Sequence, residues 1–156
     1  MKAIHVGIAL LQLASGAMAQ SGAQSNIREY PVPTSASLPS FIVKGPDGAL
    51  WFTEYGASKI GRVSTTGVIT EYRLPPHSTG PQFITVGPDG ALWFTEYANK
   101  IGRITTAGVI TEYTVPGDYL EGITAGPDGA LWFTELEDNA NRGLPTSQAA
   151  SAYYST

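Results

Sequence analysis

No cysteine occurs among the 156 residues. A disulfide framework, a thiolate metal site, a cysteine nucleophile and a lipidated cysteine anchor are therefore excluded. Charge is scarce too: 9 basic and 13 acidic residues leave a net of −4. No nucleic-acid partner is expected, since one would favour a basic stripe. Histidine is limited to His5 and His77. There is no Gly-x-Ser-x-Gly elbow, no Gly-rich phosphate loop and no His-Glu-x-x-His. Beyond residue 19 no helical period appears. What is plentiful is turn chemistry, with 18 Gly and 11 Pro in a chain that is 42% hydrophobic, too apolar to be disordered.

Residues 1–19 have the pattern of a secretory signal peptide. Lys2 supplies the positive start, Ile4 to Ala14 is mostly apolar, and Ala17-Met-Ala19 offers a small-x-small cleavage site. The apolar run falls short of the ~20 residues of a spanning helix. A secreted or periplasmic location is expected, with no membrane association after cleavage. The cut would remove His5 and leave His77 as the single histidine. Residues 20–26 are rich in Ser, Gly and Gln and are expected to form a flexible lead-in.

The rest of the chain is organised by one stretch that occurs three times without change. The copies are Gly45-Pro-Asp-Gly-Ala-Leu-Trp-Phe-Thr-Glu54, Gly87-Pro-Asp-Gly-Ala-Leu-Trp-Phe-Thr-Glu96 and Gly126-Pro-Asp-Gly-Ala-Leu-Trp-Phe-Thr-Glu135. A period near 40 residues means one supersecondary unit stacked on itself. Each full unit predicts four short strands: one at Phe41-Ile-Val43, one at Leu50-Trp-Phe-Thr-Glu54, one at Lys59-Ile-Gly-Arg-Val63 and one at Val68-Ile-Thr-Glu-Tyr72. Gly-Pro-Asp-Gly and Ser64-Thr-Thr-Gly67 are hairpin turns between them. Both faces of Leu50-Trp51-Phe52 are apolar, so this strand must be covered on both sides. Four antiparallel strands per repeat, packed on two faces, predict an all-β fold, a partial β-propeller of four-stranded antiparallel blades.

Counting strands gives about two and a half blades, whereas propellers typically close with about four to eight. Ile27-Arg-Glu-Tyr-Pro-Val-Pro33 is an isolated copy of the unit's last strand. Blades follow at about 40–75 and 82–116, then half a blade at 121–135. The repeat domain is thus expected over 27–135. After Glu135 the pattern is lost, and 136–156 is expected to be an irregular tail. We expect a truncated or frame-shifted reading frame; the alternative is a short protein that associates with itself through unpaired blade edges.

Turn chemistry accounts for Asp47, Asp89 and Asp128, since a calcium loop would need further oxygen ligands close by. Trp51, Trp93 and Trp132 are expected in the blade core. Glu54, Glu96, Glu135, Glu71 and Glu112 recur at fixed blade positions, which predicts a structural role such as pairing with Lys59, Lys100, Arg62 or Arg103 across the sheet. His77, in Pro75-Pro-His-Ser-Thr-Gly80, is expected to be an exposed loop residue.

The whole unit, from Gly-Pro-Asp-Gly-Ala-Leu-Trp-Phe-Thr-Glu through Lys-Ile-Gly-Arg to Val-Ile-Thr-Glu-Tyr, resembles the virginiamycin B lyase family, also called streptogramin B lyases. The likeness covers about 27–135. It implies a seven-bladed propeller and a magnesium-dependent elimination that opens a cyclic depsipeptide at its ester bond. The resemblance places the family's key histidines in a Pro-His-x-Ile pattern at the start of a blade's first strand, facing the channel mouth. The matching places here read Pro39-Ser40-Phe41-Ile42, Pro81-Gln82-Phe83-Ile84 and Leu120-Glu121-Gly122-Ile123. None carries histidine, and Tyr119 stands where a metal-binding glutamate would fall. The candidate substrate-binding residues are therefore Ser40, Gln82 and Glu121. No catalytic residue and no metal ligand is assigned, and no cofactor is evident in the chain beyond the magnesium the resemblance implies. The expected function is an exported lyase-like propeller fragment, inactive on its own, with a small cyclic peptide as ligand. The alternative is a secreted, non-catalytic binding or self-assembling module.

Overall fold

The computed structural model describes residues 5–9, 27–97, 99–116, 119–137 and 147–153. Two strands, β1 (His5–Ala9) and β2 (Ile27–Pro31), form a pair of their own. The first full blade holds β3 (Pro39–Lys44), β4 (Leu50–Glu54), β5 (Lys59–Val63) and β6 (Ile69–Arg73). The second holds β7 (Pro81–Val86), β8 (Leu92–Glu96), β9 (Lys100–Ile104) and β10 (Ile110–Thr114). A third sheet is built from β11 (Leu120–Ala125), β12 (Leu131–Glu137) and β13 (Ser147–Tyr153). Each sheet keeps its strands in chain order and every pairing is antiparallel. The fold is the all-β partial propeller that the repeat predicts.

The decapeptide explains each blade's centre. Gly45 N–H donates to the Ala49 carbonyl at 2.8 Å, and Gly48 leaves the turn at φ +76°, which a glycine adopts without strain. The chain then enters β4 with Trp51 and Phe52 on opposite faces. Trp51 packs with Leu92, Phe94 and Ile104 of the next blade. Trp93 does the same with Leu131 and Phe133. Phe52 turns the other way, towards Val63 and Val32. The core therefore lies between blades, and each interface is a repeat of the last.

The third strand carries a glycine for a packing reason. Gly61 lies opposite Phe52 and Gly102 opposite Phe94. A Cβ at Gly61 would come within 2.2 Å of the Phe52 ring, and one at Gly102 within 2.1 Å of the Phe94 ring. The ring packs directly against the glycine backbone of the neighbouring strand.

Two further strands lie outside the repeat domain. His5–Ala9, inside the segment expected to be a leader, form β1 against β2. The stretch expected to be an irregular tail supplies β13, which pairs with β12 from Leu131↔Tyr153 to Glu137↔Ser147. The physical reason is that β12 presents a row of unmet backbone groups on its outer side. Seven residues without Pro or Gly can satisfy them even though they lack the Lys-Ile-Gly-Arg pattern. The lead-in at 20–26 lies outside the described residues.

Candidate functional site

Ser40, Gln82 and Glu121 fall at the same place in three blades, the second residue of β3, β7 and β11. Each strand bulges there. Pairing steps from Pro39↔Glu54 to Ile42↔Phe52, from Pro81↔Glu96 to Ile84↔Phe94, and from Leu120↔Glu135 to Ile123↔Phe133. One extra residue on the inner strand bends the backbone and re-aims the side chain. β3 lies against β7 and β7 against β11, so the bulges form one row along the inner edge. Ser40 and Glu121 are exposed, and Gln82 is half-buried.

A threonine pins this row. Thr53 Oγ1 accepts from the Phe41 N–H at 3.1 Å and donates to the Gln82 carbonyl at 2.7 Å. It thus ties one bulge to the next blade. Thr95 Oγ1 accepts from the Phe83 N–H at 3.2 Å in the same way. Aromatic rings line the rim. The Phe41 and Phe83 centroids are 3.9 Å apart, and Tyr97 meets Tyr119 edge-on at 5.1 Å. Tyr55 lies over Gly80, where a Cβ would approach its ring to 2.6 Å.

Next to the row lie buried acids. Glu54 pairs with Pro39 and Glu96 with Pro81, and both carboxyls are 0% exposed. Lys59 does not reach Glu54; its Nζ lies 2.8 Å from Glu71. Lys100 likewise binds Glu112 at 3.0 Å. Ser37 and Glu71 stand beside Glu54, near enough to act on its charge, yet neither carboxyl oxygen makes a hydrogen bond. Burial first, and the Glu71 charge second, push Glu54 up to about 7 against the pull of Lys59. Burial and Glu112 push Glu96 up to about 7 against Lys100. Glu54 and Glu96, in the two full blades, thus hold their protons near neutrality.

The expected cross-sheet pairing therefore holds for Glu71 and Glu112 but not for Glu54 and Glu96. Arg62 and Arg103 bind Asp47 and Asp89 instead, at 2.7 and 2.6 Å. His77 is exposed in the loop before β7 with φ +72°. It borders a cavity of about 430 Å³ with Ser58, Arg73, Pro76 and Ser78, apart from the inner row. Sequence reasoning missed Thr53, Thr95 and the raised acids. Their signal was a polar Thr-Glu pair closing an apolar strand that must be covered on both faces.

Residues 8–153 match the Virginiamycin B lyase family. The chain belongs to this family. Three solved structures are similar to it. A streptogramin B lyase shares 38% identity at a TM-score of 0.67, over 80% of this chain and 44% of that one. A virginiamycin B lyase from Staphylococcus aureus shares 39% at 0.69, over 83% and 46%. A catalytically inactive form of the Staphylococcus aureus enzyme with quinupristin shares 38% at 0.68, over 86% and 47%. The chain thus spans less than half the length of each.

Magnesium, which membership of the virginiamycin B lyase family implies, finds no fitting site among the described residues. The inner row offers a hydroxyl, an amide and one carboxylate. Among the described residues no group of three or more His, Asp or Glu side chains is placed to hold a metal ion.

Proposed function

We propose that these blades build part of the mouth of a propeller that binds cyclic depsipeptides of the streptogramin B type, and that they do not open the ring by themselves. The row of bulges at Ser40, Gln82 and Glu121 under an aromatic rim carries this reading. Aromatic faces suit a bulky, largely apolar macrocycle, and the three polar side chains would orient it. Elimination needs a base beside a carbonyl and a centre for the developing negative charge. The matched positions supply no histidine, and Glu121 alone supplies only a carboxylate. Turnover is therefore assigned to groups outside these blades. Lys2, the apolar Ile4 to Ala14 and Ala17-Met-Ala19 support export to a secreted or periplasmic location.

The experiment is incubation of the purified chain with a cyclic streptogramin B and magnesium, followed by chromatography with mass detection and by calorimetry. Binding heat without a linear product is the expected result. A linear product of unchanged mass, lost on chelation of magnesium, would overturn the claim of inactivity. No heat and no product would overturn the binding reading.

A further inference from the structure

The junction of blades one and two carries a recess of its own. Pro39, Glu54, Lys59 and Arg73 lie in register across blade one. The β4–β5 turn and the loop from β6 to β7 therefore stand at the same end of the blade as Ser40, but on its outer half. The cavity of about 430 Å³ lies between that turn, from Gly56 to Ser58, and the segment from Arg73 to Ser78. It shares no residue with the inner row. The two full blades differ here. Four residues, Tyr55-Gly-Ala-Ser58, join Glu54 to Lys59, whereas three, Tyr97-Ala-Asn99, join Glu96 to Lys100. The longer connection of blade one forms a short 3-10 turn over Tyr55–Ala57, which makes one wall.

The charges at this recess are unbalanced. Arg73 faces Lys59 directly across the β5–β6 ladder, and like charges so placed repel. In blade two the place opposite Lys100 holds Thr114. Lys59 is neutralised by Glu71 at 2.8 Å. Glu71 also accepts from the Thr34 N–H at 3.0 Å and Oγ1 at 2.7 Å, so it is fully engaged. Glu112 reaches Ser78 from blade two but is held by Lys100 at 3.0 Å. Arg73 is exposed and has no ion pair among the described residues. His77 is exposed beside it at φ +72°, a left-handed backbone that strains a residue with a Cβ. No acid lines the cavity. Blade one thus keeps a repelled cation and a strained imidazole that the repeat does not require.

We propose that this recess binds a small organic anion with its charge on oxygen, a phosphate ester or a carboxylate. The Arg73 guanidinium is a planar fork that takes two oxygens of either group. The His77 ring and the Ser58 hydroxyl add donors beside it. Leu74, Pro75 and Pro76 supply an apolar wall for the rest of the ligand. A bound anion also offsets the repulsion between Lys59 and Arg73.

NMR titration of the isotope-labelled full chain tests this, with phenyl phosphate, benzoate and uncharged benzyl alcohol as probes at fixed ionic strength. The Arg73 Nε–H and the backbone amides of Ser58 and His77 are expected to shift to saturation with at least one anion and not with benzyl alcohol. A response to phenyl phosphate alone identifies a phosphate ester, and one to benzoate alone a carboxylate. Arg73→Thr, which copies blade two, is expected to weaken binding roughly tenfold or more. Lys44→Thr, which removes an exposed cation at the far end of β3, is expected to leave it unchanged. His77→Gly suits the left-handed backbone, so it is expected to keep the fold and weaken binding. No saturable shift with either anion, an equal response to benzyl alcohol, or an equal loss with Lys44→Thr would overturn the proposal. So would an affinity unchanged by Arg73→Thr or by His77→Gly, and the second variant decides alone where the first fails to fold.

Discussion

The Trp51 indole N–H donates to Asp47 Oδ1 at 3.0 Å, fastening the Gly-Pro-Asp-Gly turn to the strand it introduces. The Ala49 N–H binds the same oxygen at 3.3 Å, and Arg62 Nε binds Oδ2 at 2.7 Å from the third strand. The guanidinium lies 5.8 Å from the Trp51 ring centroid. One carboxylate thus joins a turn, a core aromatic and the next strand. Blade two repeats the device with Asp89, Trp93 and Arg103, and Trp132 donates to Asp128 at 3.1 Å in blade three. This explains why the decapeptide is invariant as a block.

Asp47→Ala is expected to destabilise the chain by about 2 kcal/mol, because it leaves the fully buried Trp51 indole N–H without an acceptor. Asp47→Asn keeps an acceptor and loses the ion pair with Arg62. That pair is partly exposed, so the cost is expected to stay under about 1 kcal/mol. Urea unfolding of both variants measures the difference. Equal losses would show that the ion pair, and not the indole bond, is the main contributor.

Gly61→Ala is expected to cost about 1–3 kcal/mol by overpacking. The new methyl would meet the Phe52 ring at 2.2 Å, and nothing in a two-sided core lets the ring retreat. Combined with Phe52→Leu, the two losses are expected to fall short of their sum, because the smaller side chain makes room. Full additivity in thermal unfolding would contradict the close approach.

The turns, the central strands and the two-faced core were legible in the sequence, because Gly-Pro-Asp-Gly has a local mechanism and Leu-Trp-Phe has no polar side. The row at Ser40, Gln82 and Glu121 could be located by repeat position alone. The bulges under it could not, since a one-residue slip depends on how the partner strand is held. Nor could the state of Glu54, which looks like a sheet ion pair until Lys59 is found bound to Glu71. β13 was hidden for a different reason. Its pairing is dictated by the open edge of β12 and not by any pattern of its own.

Thr53→Val is expected to loosen the inner row with little change in shape. Valine fills the same space but cannot accept from the Phe41 N–H or donate to the Gln82 carbonyl. A loss of about 1–2 kcal/mol is expected, with faster amide exchange at Phe41. Unchanged protection at Phe41 would mean that the bulge is held by pairing alone.

Stability is expected to fall as pH rises through the neutral range. Folded Glu54 and Glu96 hold their protons up to about 7, against an ordinary value of 4.5. The folded chain therefore binds more protons than the unfolded chain between those values. The contribution of these two groups is full below 4.5 and is lost as pH climbs through about 7. The loss is roughly 3 kcal/mol per group. Asp47, Asp89 and Glu71 act in the other direction. Burial works to raise each of them, but Trp51 and Arg62, Trp93 and Arg103, and Lys59 and Thr34 outweigh it and hold these carboxyls below their ordinary values. Their stability is present above 3.8 for the aspartates and 4.5 for Glu71, and is lost as pH falls further. The two trends place the optimum at about pH 4.5. Glu54→Gln and Glu96→Gln, neutral at every pH, are expected to flatten the neutral limb and leave the acid limb in place. Urea midpoints across this range decide the matter: variants that track the parent chain at every pH would remove the buried acids from the account.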